Sequence, residues 1–305
     1  MIKIKKLFII SSMAGNKNHT DLVNSIKNTY KSHMREDEYE IVITQDKDHG
    51  QKAALEFSEK IDGEKLVIIA GGDGSLGEIA QVLGGTDTAL GLIPAGTAND
   101  FAKNFDYSNF SIEDTFEPEI KPIDLIEVNG TRCINVMSLG FDTHILNSTY
   151  EFLAKSPNLG KNAFVLGVLK NLVDLKSEDL KLELKLEGGS EITIKDKFMI
   201  FALCNGGYYG SGFNPAPDSL LDDGYLNLIT AKKINYLELI PLILKYKNGR
   251  HLGHKKISEH ITTSGVISSD REFIYNLDGE INKASRLEYK LLEKNLRWAY
   301  LGKEK

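Results

Sequence analysis

A chain of 305 residues is long enough for two domains at roughly 100 to 200 residues each. Its composition, 41% hydrophobic and 26% charged with 7 prolines, excludes a collagen-like or disordered polypeptide. The 37 basic and 43 acidic side chains leave a net charge of −6. That argues against a nucleic-acid partner, because phosphate contacts need a basic footprint.

The two cysteines, Cys133 and Cys204, stand far apart, which excludes a disulfide framework or a Cys-built zinc site and suits a reducing cytoplasm. The opening MIKIKKLFIISSMAG carries an apolar run of only four residues, Leu7 to Ile10. This is too short for a signal peptide and reads as a first strand. The apolar stretch Leu237 to Leu244 is interrupted by Glu238 and Pro241 and falls far below the ~20 residues that span a bilayer. Any membrane contact is therefore expected to be peripheral.

Up to about residue 125 short β-rich runs alternate with helical patterns, the signature of parallel βαβ units. The strand Lys6 to Ser11 precedes a helix marked by Val23, Ile26, Tyr30 and Met34, with Thr20 as its expected N-cap. Glu40 to Thr44 is strand-like, Ala53, Ala54, Phe57 and Ile61 mark a helix face, and Lys65 to Ala70 is a buried-strand run. Beyond a boundary near Pro122 the character changes. Leu180, Leu182, Leu184 and Leu186 alternate with charged residues up to Gly188-Gly189, and Ile192 and Ile194 continue the alternation. That pattern predicts an antiparallel hairpin. The fold class is α/β, with a parallel-sheet first domain and a mainly antiparallel β second domain.

The strand at Lys65 runs into GGDGSLGEI, Gly71 to Ile79. Glycines at a strand-to-helix turn let backbone N–H groups approach phosphate oxygens, although such a turn can also be purely structural. Neither the Walker A nor the Rossmann spacing is present. GLIPAGTANDFAKN, Gly91 to Asn104, supplies a second strand-to-helix junction with Gly96, Thr97, Asn99 and Asp100. Further on come NPAPDSLLDDGYLNLI, Asn214 to Ile229, and Leu277-Asp278-Gly279-Glu280.

Together these segments resemble the diacylglycerol kinase catalytic-domain family, bacterial lipid kinases related to sphingosine, ceramide and NAD kinases. The resemblance implies a nucleotide domain over residues 1–125 plus about 287–305, a mainly β lipid domain over 126–286, and ATP and Mg²⁺ as cofactors. Nucleotide contacts would come from Ser11, Ser12 and Gly15, from Thr44, from Gly71, Gly72, Asp73, Gly74, Ser75, Gly77 and Glu78, and from Gly96, Thr97 and Asn99. The family usually opens its first loop with an NPxSG-like stretch, where this chain reads SSMAG.

Phosphoryl transfer to an alcohol needs a base, a divalent cation and donors for the phosphate oxygens. Glu280 is the preferred base and Asp278 the alternative, although a DG pair also makes a hairpin turn. In the acidic cluster Asp218, Asp222 and Asp223, the resemblance implies a structural Mg²⁺ on Asp223 with the carbonyls of Leu220 and Tyr225. Asp73, itself expected to be catalytic, and Asp100 and Asp124 are candidates for a catalytic Mg²⁺. His251 and His254 have no third ligand for zinc. From Lys232 to Lys256 seven basic residues face one acid, and such a stretch can attract anionic lipid headgroups. The expected function is phosphorylation of diacylglycerol at a membrane surface. Another lipid alcohol (a sphingoid base, phosphatidylglycerol or a polyprenol) or a non-catalytic nucleotide- or lipid-binding role are the alternatives, and a homodimer is left open.

Overall fold

A computed structural model describes residues 4–12, 19–46, 48–160 and 162–304. Two compact units emerge, Met1–Leu125 with Glu293–Lys305, and Ile126–Leu292.

In the first unit the elements run β1 (Lys5–Ile10), α1 (His19–Ser32), β2 (Tyr39–Ile43), α2 (His49–Lys60), β3 (Lys65–Gly71), α3 (Asp73–Leu83) and β4 (Ala89–Pro94). The four strands pair in parallel in the order β2-β1-β3-β4. β3 is buried along its whole length, which is why its sequence is a continuous apolar run instead of an alternation. Ile26 and Tyr30 of α1 join Phe8, Leu66 and Ile68 in one core, while Gly50 of α2 lies against Ile9 and Ile79 on the opposite face. The order reverses between β1 and β3. In open α/β sheets the ligand crevice forms outside the carboxyl ends of the strands at such a switch point.

Thr20 lies inside α1 and does not cap it, and Met34 falls beyond the helix with φ +54° and 88% exposure. The helix stops at Ser32 because the Ser32 hydroxyl and the His33 ring bond the Thr29 carbonyl, satisfying a group that a further turn would have used. The short strand β5 (Phe105–Asp106) pairs with Lys303 and Glu304. Trp298, fully buried, stacks on Phe105 at 5.6 Å and meets Phe101 edge-on at 5.1 Å.

The second unit contains β6 (Glu119–Val128) from Ile126 onward, β7 (Thr131–Cys133), β8 (Val136–Gly140), α4 (Phe141–Lys155) and α5 (Asn162–Leu172). They are followed by β9 (Glu178–Leu186), β10 (Glu191–Cys204), β11 (Leu226–Lys232), α6 (Tyr236–Lys247), β12 (Ile257–Leu277) and β13 (Glu280–Tyr300), whose last residues belong to the first unit. β9 and β10 form the expected hairpin, with Leu182 opposite Ile194. β12 pairs in turn with β11, β9, β13 and β8, all antiparallel. The sheet thus doubles over on itself, enclosing Leu180, Leu182, Leu184, Phe201 and Leu228.

The carboxylate of Asp142 is enclosed in this unit. Asp142 is the second residue of α4, following Phe141 and the N-cap Gly140, whose φ of +104° and whose closeness to the Met199 carbonyl, 2.4 Å from where a Cβ would sit, leave room for glycine alone. Burial raises the Asp142 pKa to about 6, against the lowering effect of the Ser138 and Tyr209 hydroxyls. A carboxyl that keeps its proton to about pH 6 when folded but loses it near 3.8 when unfolded contributes stability below the lower value, and that contribution is lost as pH rises through the upper one. Asp142→Asn, which matches the protonated shape, is therefore predicted to be more stable than the parent at pH 8 by roughly 3 kcal/mol and little more stable near pH 3.5. Urea denaturation at the two pH values checks this, and an equal difference at both would refute the assignment.

Candidate active site

Beyond the carboxyl ends of β1 and β3, the Ser75 hydroxyl donates to the Ser11 hydroxyl at 3.1 Å and the Ser12 amide donates to the Thr44 hydroxyl at 3.0 Å. Ser11, Ser12, Thr44 and Ser75 thus gather at one edge of the sheet, while Gly15 lies outside the described residues. α3 starts immediately after Gly72, which supplies no side-chain cap, and its first internal bond is from the Leu76 amide to the Gly72 carbonyl. The N–H groups of Asp73, Gly74 and Ser75 consequently have no partner within the helix. With open space where a Gly74 Cβ would be, this turn suits a phosphate chain, and nucleotide fits the residues present. Gly77 and Glu78 stand apart from it, in the body of α3. Gly77 is buried there and the Glu78 carbonyl accepts from the Gln51 amide.

The second glycine loop docks on the first. The Ala95 and Gly96 amides both donate to the Gly71 carbonyl, at 2.9 and 3.1 Å. A Cβ on Gly96 would lie 2.4 Å from the Gly72 Cα, so the loops meet glycine to glycine. Asn99, at φ +49°, accepts from the Gly96 amide and donates to its carbonyl. Thr97 is exposed at the tip. The element that follows is a single 3₁₀ turn, Phe101–Asn104, and not the helix that the sequence pattern suggests.

Of the three acids proposed for a catalytic Mg²⁺, Asp73 and Asp100 lie together, close enough for the Asp100 charge to act on the Asp73 carboxyl, while Asp124 is held by Lys294. The Asp73 carboxylate accepts the Phe101 amide at 2.9 Å, and burial raises its pKa. Asp100 is paired with the Lys103 ammonium at 2.6 Å. Asp124 is fully buried and accepts the Lys294 amide at 2.6 Å, so it anchors the end of β13. Among the described residues no three His, Cys, Asp or Glu side chains gather where they could hold a metal.

In the second unit, Asp278 and Gly279 form the two-residue turn between β12 and β13, with φ values of +48° and +100°. This is the primed hairpin geometry expected of a DG pair. The Asp278 carboxylate is buried beneath it, accepting the Ile134 amide at 2.7 Å, the Asn135 amide at 3.0 Å and the Val136 amide at 3.1 Å. Burial pushes its pKa up, opposed by the Cys133 thiol and these amides. The Asp278 carboxylate, expected as the alternative base, is thus engaged by three backbone amides. Glu280, two residues on, is exposed at the start of β13. The turn itself is braced by the Asn276 amide oxygen, which accepts from the Gly279 N–H at 2.7 Å, and by the Tyr150 hydroxyl, which donates to the Gly279 carbonyl at 2.8 Å.

Leu220, Asp223 and Tyr225 share one short turn ahead of β11. There the Asp223 carboxylate accepts the Tyr225 amide at 3.0 Å across Gly224 at φ +79°. One carboxylate beside main-chain carbonyls in an exposed turn is the hard-oxygen donor set that Mg²⁺ takes with waters. Asp142 is a candidate that pattern reading overlooks. Its only signal is an acid two residues after the apolar strand VMSLG, in the first turn of the helix that follows.

The comparisons with known proteins agree with this construction. The family model of the diacylglycerol kinase catalytic domain matches residues 5–128, and that of the YegS C-terminal NAD kinase beta sandwich-like domain matches residues 135–297. A diacylglycerol kinase of Bacillus subtilis is 31% identical over 224 residues, covering 70% of this chain and 71% of its own. A protein of Cronobacter sakazakii named probable lipid kinase YegS-like is 31% identical over 241 residues, covering 75% and 76%. The crystal structure of a diacylglycerol kinase from Bacillus anthracis superposes over 97% of this chain and 96% of that one with a TM-score of 0.70 at 20% identity, a likeness of fold. With an α/β sheet carrying docked glycine loops, an antiparallel β unit and relatives across most of its length, the chain belongs to the diacylglycerol kinase-like family of lipid kinases.

Proposed function

We propose that this kinase transfers the terminal phosphoryl group of ATP to the hydroxyl of diacylglycerol, giving a phosphomonoester. The observation that carries the reading is the uncapped start of α3 docked on the second glycine loop, a preorganised set of amide donors of the kind phosphoryl transfer requires. The choice of acceptor is supported by the name of the Bacillus subtilis relative. Ser11, Ser12, Thr44, Ser75 and Thr97 would bind the nucleotide by their hydroxyls, and Asp73 would hold the two loops in register through the Phe101 amide. As the acceptor oxygen bonds to phosphorus and the bond to the departing ADP oxygen breaks, the hydroxyl proton passes to Glu280. Asp278 is a positioning residue that sets the turn from which Glu280 projects. Bound Mg²⁺ supplies positive charge to the phosphates in this chemistry. A second, structural Mg²⁺ would be held by Asp223 with the carbonyls of Leu220 and Tyr225.

The reading is tested by ADP release from the purified chain against micellar diacylglycerol, a sphingoid base, phosphatidylglycerol and a polyprenol. Stimulation is expected with diacylglycerol, and stimulation by no lipid would leave a binding protein without turnover. General-base help is typically worth about 10²- to 10⁴-fold, so Glu280→Gln is expected to lose about that factor in kcat with an unchanged melting temperature. Asp278→Asn should instead lose stability, by about 1–3 kcal/mol for a buried acceptor weakened against its donors. If Glu280→Gln turns over normally and Asp278→Asn is stable but inactive, the two roles are exchanged.

The metal assignment has its own readout. A cation that binds only the folded state raises its stability, so Mg²⁺ should raise the melting temperature of the parent over that in chelator, and Asp223→Ala should abolish the rise. Equal shifts in both proteins would remove Asp223 from the site.

A further inference from the structure

α5 is apolar on two sides. Its small residues Ala163 and Gly167 face α4, where Gly167 is so close that a Cβ would lie 2.6 Å from the Thr149 hydroxyl. Phe164, Val168 and Leu172 pack against the core that α4 and α6 share. The remaining face presents Val165 and Leu169 to solvent, and Val173, just past the helix end, is 82% exposed. α6 repeats the arrangement. Leu239, Leu242 and Tyr246 are buried, whereas Leu237 is 91% exposed and Leu244 lies on the same side two turns on. The Tyr236 hydroxyl donates to the Val173 carbonyl at 3.1 Å, which joins the end of α5 to the start of α6, so the two exposed stripes form one ridge within the second unit. A helix apolar on its outer face as well as its inner one is normally covered by something.

The charge at the border says by what. Lys176 follows α5, Lys233 precedes α6, and Lys245 and Lys247 lie in its last turn, all exposed and none in an ion pair among the described residues, with Asp174 as the neighbouring exposed acid. The other lysines of the basic stretch are neutralised locally, Lys232 by Asp196 and Lys255 and Lys256 by Glu238. Among the described residues no helix is long and apolar enough to cross a membrane. An apolar ridge flanked by unpaired lysines is the pattern that seats in the interface of an anionic bilayer, with aliphatic side chains below the headgroups and ammonium groups among the phosphates.

We infer that the α5–α6 ridge is a bilayer-docking surface, in which Val165, Leu169, Val173, Leu237 and Leu244 enter the interface of an anionic lipid leaflet. The inference deepens the lipid-kinase reading, since it says how the chain meets a substrate that stays in a membrane. It also divides recruitment in two. The lysines attract, and their share is screened by salt, while the ridge retains, and its share is not.

The test is sedimentation of the whole chain with vesicles of phosphatidylglycerol and phosphatidylcholine, and with vesicles of phosphatidylcholine alone, at low and high salt. The parent should bind the anionic vesicles, more tightly at low salt, with a residue of binding that survives high salt. Val173→Glu combined with Leu237→Glu should lower binding by about tenfold or more, because withdrawing even one such side chain from an apolar phase is worth that factor. Both positions are solvent-exposed, so the melting temperature and ADP release on detergent-dispersed diacylglycerol should be unchanged. Undiminished vesicle binding by the double variant would overturn the inference. So would a parent that fails to bind vesicles but self-associates on size exclusion, with the variant monomeric, because the ridge would then be covered by a second copy. If vesicle binding behaves as expected but no lipid alcohol stimulates ADP release, the docking surface stands and the proposed reaction fails.

Discussion

The contact between Gly72 and Gly96 is the constraint on which the phosphate side of the molecule depends. Their backbones lie so close that a single methyl group on Gly96 would fall 2.4 Å from the Gly72 Cα. This approach allows the Gly71 carbonyl to accept two amides from the second loop. The first loop is thereby pinned without its own helix-start amides being used, and they remain directed at the crevice beyond β1 and β3. A side chain in either place would force the loops apart and leave the strand-order switch point with no organised donors.

Carboxylates do the rest of the fixing, and they do it by accepting backbone amides. Asp73 ties the first glycine loop to Phe101, Asp124 ties β6 to Lys294, and Asp278 gathers three consecutive amides of the segment between β7 and β8. Charge-assisted bonds of this type are stronger than neutral ones and directional, and enclosure makes them costly to break. The consequence is a division of labour among acids that look alike in the sequence. Those enclosed hold the backbone, while Glu280 at the start of β13 and Asp223 in its turn are exposed. Asp142 belongs to neither group. It is enclosed, and burial raises its pKa to about 6, so the ionised form carries a stability cost.

The second unit has a different economy of surface. Its doubled antiparallel sheet buries alternate residues of the β9–β10 hairpin, and the inner faces of α5 and α6 join a second core over Met199 and Ala231. The two helices are therefore not needed to seal the sheet on both their faces, and their outer apolar residues are left over from folding. That surplus, with lysines along its edge, is the ground for the docking surface proposed above.

Much of this was legible in the sequence because its signals are local. The continuous apolar run of β3, the alternation of β9 and β10, and the glycines after β3 and β4 depend on neighbours within a few residues, and they were enough to identify the fold class and the family. The role of each acid was not legible. Asp278 read as a candidate base because an acid next to glycine in a turn gives no sign of whether amides lie beneath it, and those amides belong to residues more than 140 positions earlier. Asp124, Asp100 and Asp73 similarly read as metal ligands until their partners were known. Thr20 and Met34 matched helical spacing, but helix α1 ended where Ser32 and His33 took the last carbonyls. The amino-acid sequence by itself determined which segments are strands, helices and glycine turns, because propensity and hydrophobic period are properties of short stretches. Only the tertiary structure decided which carboxylates are enclosed and which exposed, since the burial of a charge depends on backbone brought to it from elsewhere in the chain.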